Sequence, residues 1–193
     1  LAANGYVIEL VGRVKRDSKP IQKTPYKQTR LNCYFEKGKM FYCEFNLRLF
    51  IYLLFKPFDI AGSVDLDTII PVWLVAKIRN KKCSFDAHEY FEEVPEVTCR
   101  PIIKKIWTLI GNIFIPRMDV CYTVGKGLAE IFSRKYGVPF SIIRNVPFKK
   151  DITSVEVPLG SQPYILYQGA LNEGRGIEQM IEAMVQLPEY RLL

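Results

Sequence analysis

Short apolar segments rich in β-branched and aromatic residues alternate along this 193-residue chain with longer stretches of helical period. That alternation constrains the fold more than any other feature. Parallel strands need a crossover of about a dozen residues, and a helix is the connection that also covers the sheet. Leu1 to Gly5 reads as a helix end with Gly5 in the left-handed cap position. Residues 6–12 and 31–35 predict strands on either side of a basic loop in which Pro20 and Pro25 exclude regular structure. Residues 41–56 are apolar nearly all round, broken mainly by Glu44, Asn46 and Arg48, and predict a largely buried helix. A strand over 58–64 follows, then a helix opened by Asp65 to Thr68 and running to about Asn80, with Asp65 and Asp67 as acidic caps. Residues 83–86 form the strand that delivers the only histidine, His88.

The pattern continues with a helix over 102–115, basic at its start through Arg100, Lys104 and Lys105 and apolar along Ile106, Trp107, Leu109, Ile110, Ile113 and Phe114. Core packing is the first reading of that helix, and a place on a membrane surface with the apolar stripe down is the second. A strand over 119–124, a helix over 125–136 ended by Gly137, and a strand over 140–147 complete the unit, with Gly125-Lys-Gly127 read as a helix cap. Residues 148–163, with Lys149-Lys-Asp, Pro158, Gly160 and Pro163, read as a linker. A new βαβ unit then opens with a strand over 164–168, a glycine-rich turn over 169–176, a helix over 177–187 and a strand from Tyr190. The expectation is therefore an α/β chain. Residues 1–147 form a Rossmann-like parallel sheet with helices on both faces, 148–163 link, and 164–193 begin a second, truncated Rossmann-like unit.

Composition narrows the class. With 49% hydrophobic residues the chain can bury a core, and it has no run of about 18 apolar residues to span a bilayer. The start lacks a cleavable signal pattern, so a cytoplasmic site is expected. Five cysteines, an odd number without C-x-x-C, predict reduced and mostly buried thiols, with no disulfide framework and no zinc site. Of the net charge of +7, much sits between residues 13 and 30, where Arg13, Lys15, Arg16, Lys19, Lys23, Lys27 and Arg30 face only Asp17. Such a loop attracts phosphates, nucleic acid or anionic lipid headgroups, or serves solubility alone. Residues 86–96 carry five acids and no base, which argues against a nucleic-acid surface at His88.

In an open α/β sheet, ligands bind outside the carboxyl ends of the parallel strands. Asp65, Asp67, Asp86, His88 and Glu89 all fall near such ends. They have the chemistry of hard-metal ligands or of acid–base groups, and equally that of helix caps, while Glu92, Glu93 and Glu96 read as a solvated face. The loop from Gly169 to Gly176 places Arg175 at a helix mouth, where free N–H groups and a guanidinium together suit a phosphate. Its spacing matches neither G-x-G-x-x-G nor G-x-x-x-x-G-K-[ST].

Asp65-Leu-Asp-Thr68, Phe85-Asp-Ala-His-Glu-Tyr-Phe-Glu-Glu-Val-Pro-Glu96, Arg144-Asn-Val-Pro147 and Tyr167-Gln-Gly-Ala-Leu-Asn-Glu-Gly-Arg-Gly176, followed by Glu182-Ala-Met184, together resemble a family 4 glycosyltransferase of the GT-B fold. The resemblance runs in order along almost the whole chain. It implies a retaining transfer of a sugar, of the hexosyltransferase type, from a nucleotide-sugar donor to a glycan or lipid-linked acceptor, without a resident cofactor or metal. It implies that His88 contacts the donor sugar, that Gly169, Gly174 and Arg175 meet the donor diphosphate, and that Asp67, Glu89 and Tyr90 line the acceptor side of the cleft. Ala170 stands where many relatives carry a second basic residue. The resemblance also implies an acceptor-side domain lacking its first strand and only the beginning of a donor-side domain, a fragment expected to be inactive alone. A place at the inner face of a membrane through the basic loop 13–30 would suit a lipid-linked acceptor, and no nucleic-acid partner is expected. Three other classes fit the residues: a nucleotide-sugar epimerase of the same architecture, a metal-dependent hydrolase using Asp65, Asp67, Asp86 and His88, and a non-catalytic domain binding anionic lipid or nucleic acid.

Overall fold

The computed structural model describes residues 1–147, 163–169, 171 and 174–193. The chain divides into two units, Leu1–Asn145 and Val146–Leu193. The expected linker lies outside the described residues except for Pro163, as does Ala170. Among the described residues all strand pairing is parallel, in three sheets. β1 (Glu9–Arg13) pairs with β2 (Lys27–Leu31). The central sheet runs β3 (Ile60–Val64), β4 (Lys82–Ala87), β5 (Val120–Thr123), β6 (Phe140–Ile142), in sequence order.

Helices supply the crossovers of the central sheet, whereas β1 and β2 are joined by residues 14–26 without one. α1 (Gly38–Phe55) precedes the central sheet, and α2 (Ile69–Ile78) links β3 to β4. The short α3 (Pro95–Thr98) and α4 (Pro101–Phe114) lie between β4 and β5. α5 (Lys126–Tyr136) joins β5 to β6, starting from Gly125 as its N-cap and ending at Gly137 with φ +69. Gly5 likewise takes a left-handed φ of +83 after a short 3-10 turn, as its sequence position leads one to expect. In the second unit β7 (Tyr164–Ile165) and β8 (Arg191–Leu192) pair in parallel across α6 (Ile177–Ala183), which gives the expected βαβ order. The fold class is thus the expected one, parallel α/β with flanking helices.

The core lies between the central sheet and its helices. Ile69, Val72 and Ala76 of α2 meet Phe85 and Ala87 of β4, Cys121 of β5, and Phe132 and Tyr136 of α5. Ile69 and Val75 are fully buried, each contributing about 1.5 to 3 kcal/mol by removal of apolar surface from water. Phe132 stands among aromatic neighbours, with the rings of Tyr90 and Phe140 centred 5.3 and 5.2 Å away.

Four expectations are corrected. The second strand is Lys27–Leu31 rather than 31–35, although its sequence is polar. A half-buried cluster explains it: Glu9 on β1 accepts hydrogen bonds from the hydroxyls of Thr29 and Tyr52 and pairs with the exposed Lys27 at 3.0 Å. Burial pushes the Glu9 carboxyl up, but these donors outweigh it and hold the group at about 2. Residues that follow are instead fixed by α1, whose Glu44 accepts the backbone N–H groups of Tyr34 and Phe35.

Helix α1 is not largely buried. Only Phe45 and Leu49 are, while Met40, Leu47, Ile51 and Phe55 face outward. Among the described residues no helix is long and apolar enough to cross a membrane. The thiols also divide: Cys83 and Cys121 are buried, Cys33 is half-buried, and Cys43 and Cys99 are exposed.

Glu92 belongs to no solvated face. It is 2% exposed, forms an ion pair with Lys135, and accepts a hydrogen bond from the Tyr136 hydroxyl at 3.1 Å. Gly111 of α4 makes room for this group, since a Cβ there would stand 3.1 Å from the Tyr136 oxygen and 3.2 Å from Glu92 Oε1. Glu93 is exposed and pairs with Lys104, and the side chain of Glu96 lies outside those described. Removing one partner from a buried pair strands the other charge. Lys135→Met is therefore expected to lower unfolding free energy by about 3 kcal/mol in urea titration, and Glu92→Gln/Lys135→Met to recover part of that loss.

Candidate functional site at the carboxyl ends of β3 and β4

Register brings the site together. Val64 pairs with Asp86, Asp86 with Tyr122 and Ala87 with Thr123, so β3, β4 and β5 end at one level. Thr123, fully buried, fixes that level by donating its hydroxyl to the Ala87 carbonyl at 2.6 Å. The chain leaves β3 through Asp65, whose φ of +54 and ψ of −178 belong to a region open to glycine and rarely entered by other residues. Such a conformation costs about 1–3 kcal/mol and persists where the surroundings overdetermine it.

Here the surroundings are complete. The Asp65 N–H donates to the Asp86 carbonyl at 2.8 Å, and the Asp65 carbonyl accepts from the fully buried Ser63 hydroxyl at 3.1 Å. Its carboxylate reaches across to the next strand's exit, accepting the His88 N–H at 3.1 Å and that of Glu89. Burial pushes the Asp65 carboxyl up, and the two N–H donors work against that shift without cancelling it. Contrary to the sequence expectation, the Asp65 side chain does not cap its own helix; it caps the turn that carries His88.

The His88 ring lies 41% exposed, with Nε2 3.1 Å from Asp86 Oδ2. A carboxylate only accepts, so a neutral ring shares its Nε2 hydrogen with Asp86 and leaves Nδ1 as an acceptor. Tyr122 stands behind this pair, its phenol pushed up by burial and by the Asp86 charge. The arrangement holds an imidazole at the end of a central strand in one orientation, with its rim open.

Asp67 sits half-buried on the turn entering α2, where burial and the neighbouring Asp65 push its carboxyl up to about 6. Glu89 is exposed, whereas the Tyr90 ring turns inward onto Phe132 and lies under the Lys135 ammonium at 5.1 Å. Among the described residues no three His, Cys, Asp or Glu side chains come together as a metal-holding group. In the second unit, Gly174 and Gly176 take φ values of +79 and +72 immediately before α6, and Gly169 and Arg175 are exposed. Several cations of the basic loop are engaged internally: Arg13 stacks on Phe41, Arg16 pairs with Glu36, Lys27 with Glu9, and Arg30 donates to the Lys19 carbonyl.

The sequence places His88 at its strand end, but it points to Asp65 as a helix cap and gives no sign of Tyr122. The Asp65 side chain acts across 23 positions of sequence, and nothing local marks that. A non-glycine residue between two strand-helix signals gives no sign of a positive φ.

No family model and no curated protein matches the chain. Among solved structures the chain is similar to a sucrose-phosphate synthase from Thermosynechococcus elongatus, with a TM-score of 0.75 at 16% identity. The match covers 99% of this chain and 52% of that one, so the chain spans about half the length of the protein it resembles. At this identity the likeness establishes the fold. It is the Rossmann-like glycosyltransferase fold that the sequence resemblance implies.

Two outcomes follow. Asp65→Gly relieves the strained backbone and deletes the brace, so unfolding free energy should stay within about 1 kcal/mol of the parent. Amide exchange at His88 and Glu89 should meanwhile quicken about tenfold or more, the loss of about one hydrogen bond each. Unchanged exchange there would contradict the brace. Asp67, raised in the folded state, favours folding when protonated; its contribution is complete below pH 3.8 and is lost as pH rises to about 6. The difference amounts to about 3 kcal/mol, and Asp67→Asn should flatten this part of a pH–stability curve measured by denaturant titration.

Proposed function

We propose that this chain is part of a retaining glycosyltransferase of the family 4 type, which moves a hexosyl group from a nucleotide sugar to a glycan or lipid-linked acceptor. One observation carries the reading: a half-exposed imidazole, held from two sides by Asp86 and Asp65, at the carboxyl end of a parallel strand. The fold likeness and the ordered motifs support it. His88 contacts a sugar hydroxyl through its free ring nitrogen and fixes the ring for attack on the face the leaving group departs from. Its hydrogen bond to Asp86 sets which nitrogen is presented.

In the transfer, the bond from the anomeric carbon to the diphosphate oxygen breaks and a bond to the acceptor oxygen forms. The acceptor proton passes to the leaving diphosphate. Negative charge grows on that diphosphate, and donors preorganised where charge develops are the strongest source of rate. Arg175 would supply two N–H groups there, and the left-handed backbone at Gly174 would let main-chain N–H groups approach. Asp67 and Glu89 would face the acceptor, while the inward-turned Tyr90 would support the His88 turn by packing. No step requires a resident cofactor or a metal.

The test is turnover of the full-length protein with a panel of nucleotide sugars and acceptors, with the product's anomeric configuration read by NMR. Retained configuration is expected, with His88→Ala reducing kcat/KM by about 10² to 10³, the scale of a lost positioning contact. Epimerised donor formed without acceptor, or His88→Ala at parental rate, would sink the reading.

A further inference from the structure

Helix α4 carries more apolar surface than its packing uses. On its inner side Trp107 meets the rings of Tyr42 and Phe91 edge to face at 5.6 and 5.0 Å, and Phe114 meets Trp73 at 5.3 Å. These contacts and the buried Gly111 fully account for its place on the core. The outer side needs another explanation. Ile102, Ile106, Leu109 and Ile113 recur at helical spacing and lie in one line along the helix. They are 73%, 48%, 59% and 38% exposed. A single exposed leucine or isoleucine is ordinary on a soluble protein, whereas an aligned apolar row marks a surface that something covers.

Charge indicates what covers it. From Cys99 to Met118 the sequence holds four cations, Arg100, Lys104, Lys105 and Arg117, and no acid. Lys104 is engaged by Glu93, but Arg100, Lys105 and Arg117 are exposed, one before the row, one beside it and one beyond its end. The chain as a whole carries +7. An apolar row alone would suit a protein groove. A row flanked by cations, with no acid on the helix itself and the neighbouring Glu93 committed to Lys104, matches a surface that is apolar beneath and negative above. The lysine stem can lie along the apolar row while its ammonium stays at phosphate level.

We propose that the outer face of α4 docks on an anionic lipid bilayer. Ile102, Ile106, Leu109 and Ile113 enter the headgroup–acyl boundary, and Arg100, Lys105 and Arg117 lie against lipid phosphates. The inference is independent of the transferase reading, because docking is measured without substrate and needs none of the residues assigned to it.

The experiment is cosedimentation of the full chain with phosphatidylcholine vesicles, with and without phosphatidylserine, at low and physiological salt. Binding is expected to the anionic vesicles, weaker in salt, and at least about tenfold weaker to neutral ones. Leu109→Glu should lower anionic-vesicle binding about tenfold or more, and Arg100→Gln/Lys105→Gln severalfold. These positions are exposed, and circular dichroism checks the fold; should Leu109→Glu unfold, Ile102→Ser at the first turn replaces it. The proposal is overturned by absence of binding, by equal binding to both vesicles, or by parental binding of the α4 variants. It is overturned equally if Lys15→Gln/Arg16→Gln/Lys19→Gln abolishes binding while the α4 variants keep it, which would assign docking to the basic loop. A dimer that Leu109→Glu dissolves would show the row covered by a second copy, and would also overturn it.

Discussion

The hydrogen bonds accepted by the Asp65 carboxylate hold the site together. Strand ends in a parallel sheet are aligned by the ladder, but the chain beyond them is not, and each exit turn needs its own anchor. Asp65 provides one anchor for two turns: its backbone closes the exit from β3, and its side chain closes the exit from β4. The positive φ is the cost of doing both with one residue, offset by Ser63 and by the backbone of Asp86. Without it, Asp86 would still contact the His88 ring, but the backbone bearing that ring would be free to swing.

Around this brace the molecule places charge with different purposes. Glu9 and Glu92 are carboxylates committed to structure, each enclosed by donors from distant elements. Asp67 is the opposite case: burial and Asp65 disfavour its charge, and no ion pair compensates among the described residues. Asp67 thus follows Asp65 closely in the chain as a carboxyl pushed up to about 6, whereas Asp65 itself is held by the N–H groups of the His88 turn. The apolar row on α4 belongs to a separate economy, that of surface rather than site.

Much of this was legible in the sequence because it rests on period and punctuation. The alternation of strand and helix signals points to the parallel topology, the glycines at 5, 125 and 137 to the caps, and the apolar run before His88 to its place at a strand end. What escaped is what depends on pairs far apart in sequence. The polar β2 forms because Glu9 and Tyr52 await Thr29, and Glu92 is buried because Lys135 and Tyr136 lie 43 and 44 positions away. The mostly apolar sequence of α1 points to burial that the fold does not provide, since period alone does not say how much of a helix its neighbours cover. For α4, core packing describes the inner side of the helix, while its outer row remains exposed.

The most direct test of the central claim is a crystal structure of the protein with a nucleotide sugar bound. The account predicts a sugar hydroxyl within hydrogen-bonding distance of the His88 imidazole, with Nε2 still on Asp86 and the Asp65 carboxylate still capping the His88 N–H. A donor whose sugar lies away from His88, or an imidazole that has left Asp86 to bind it, would contradict the account.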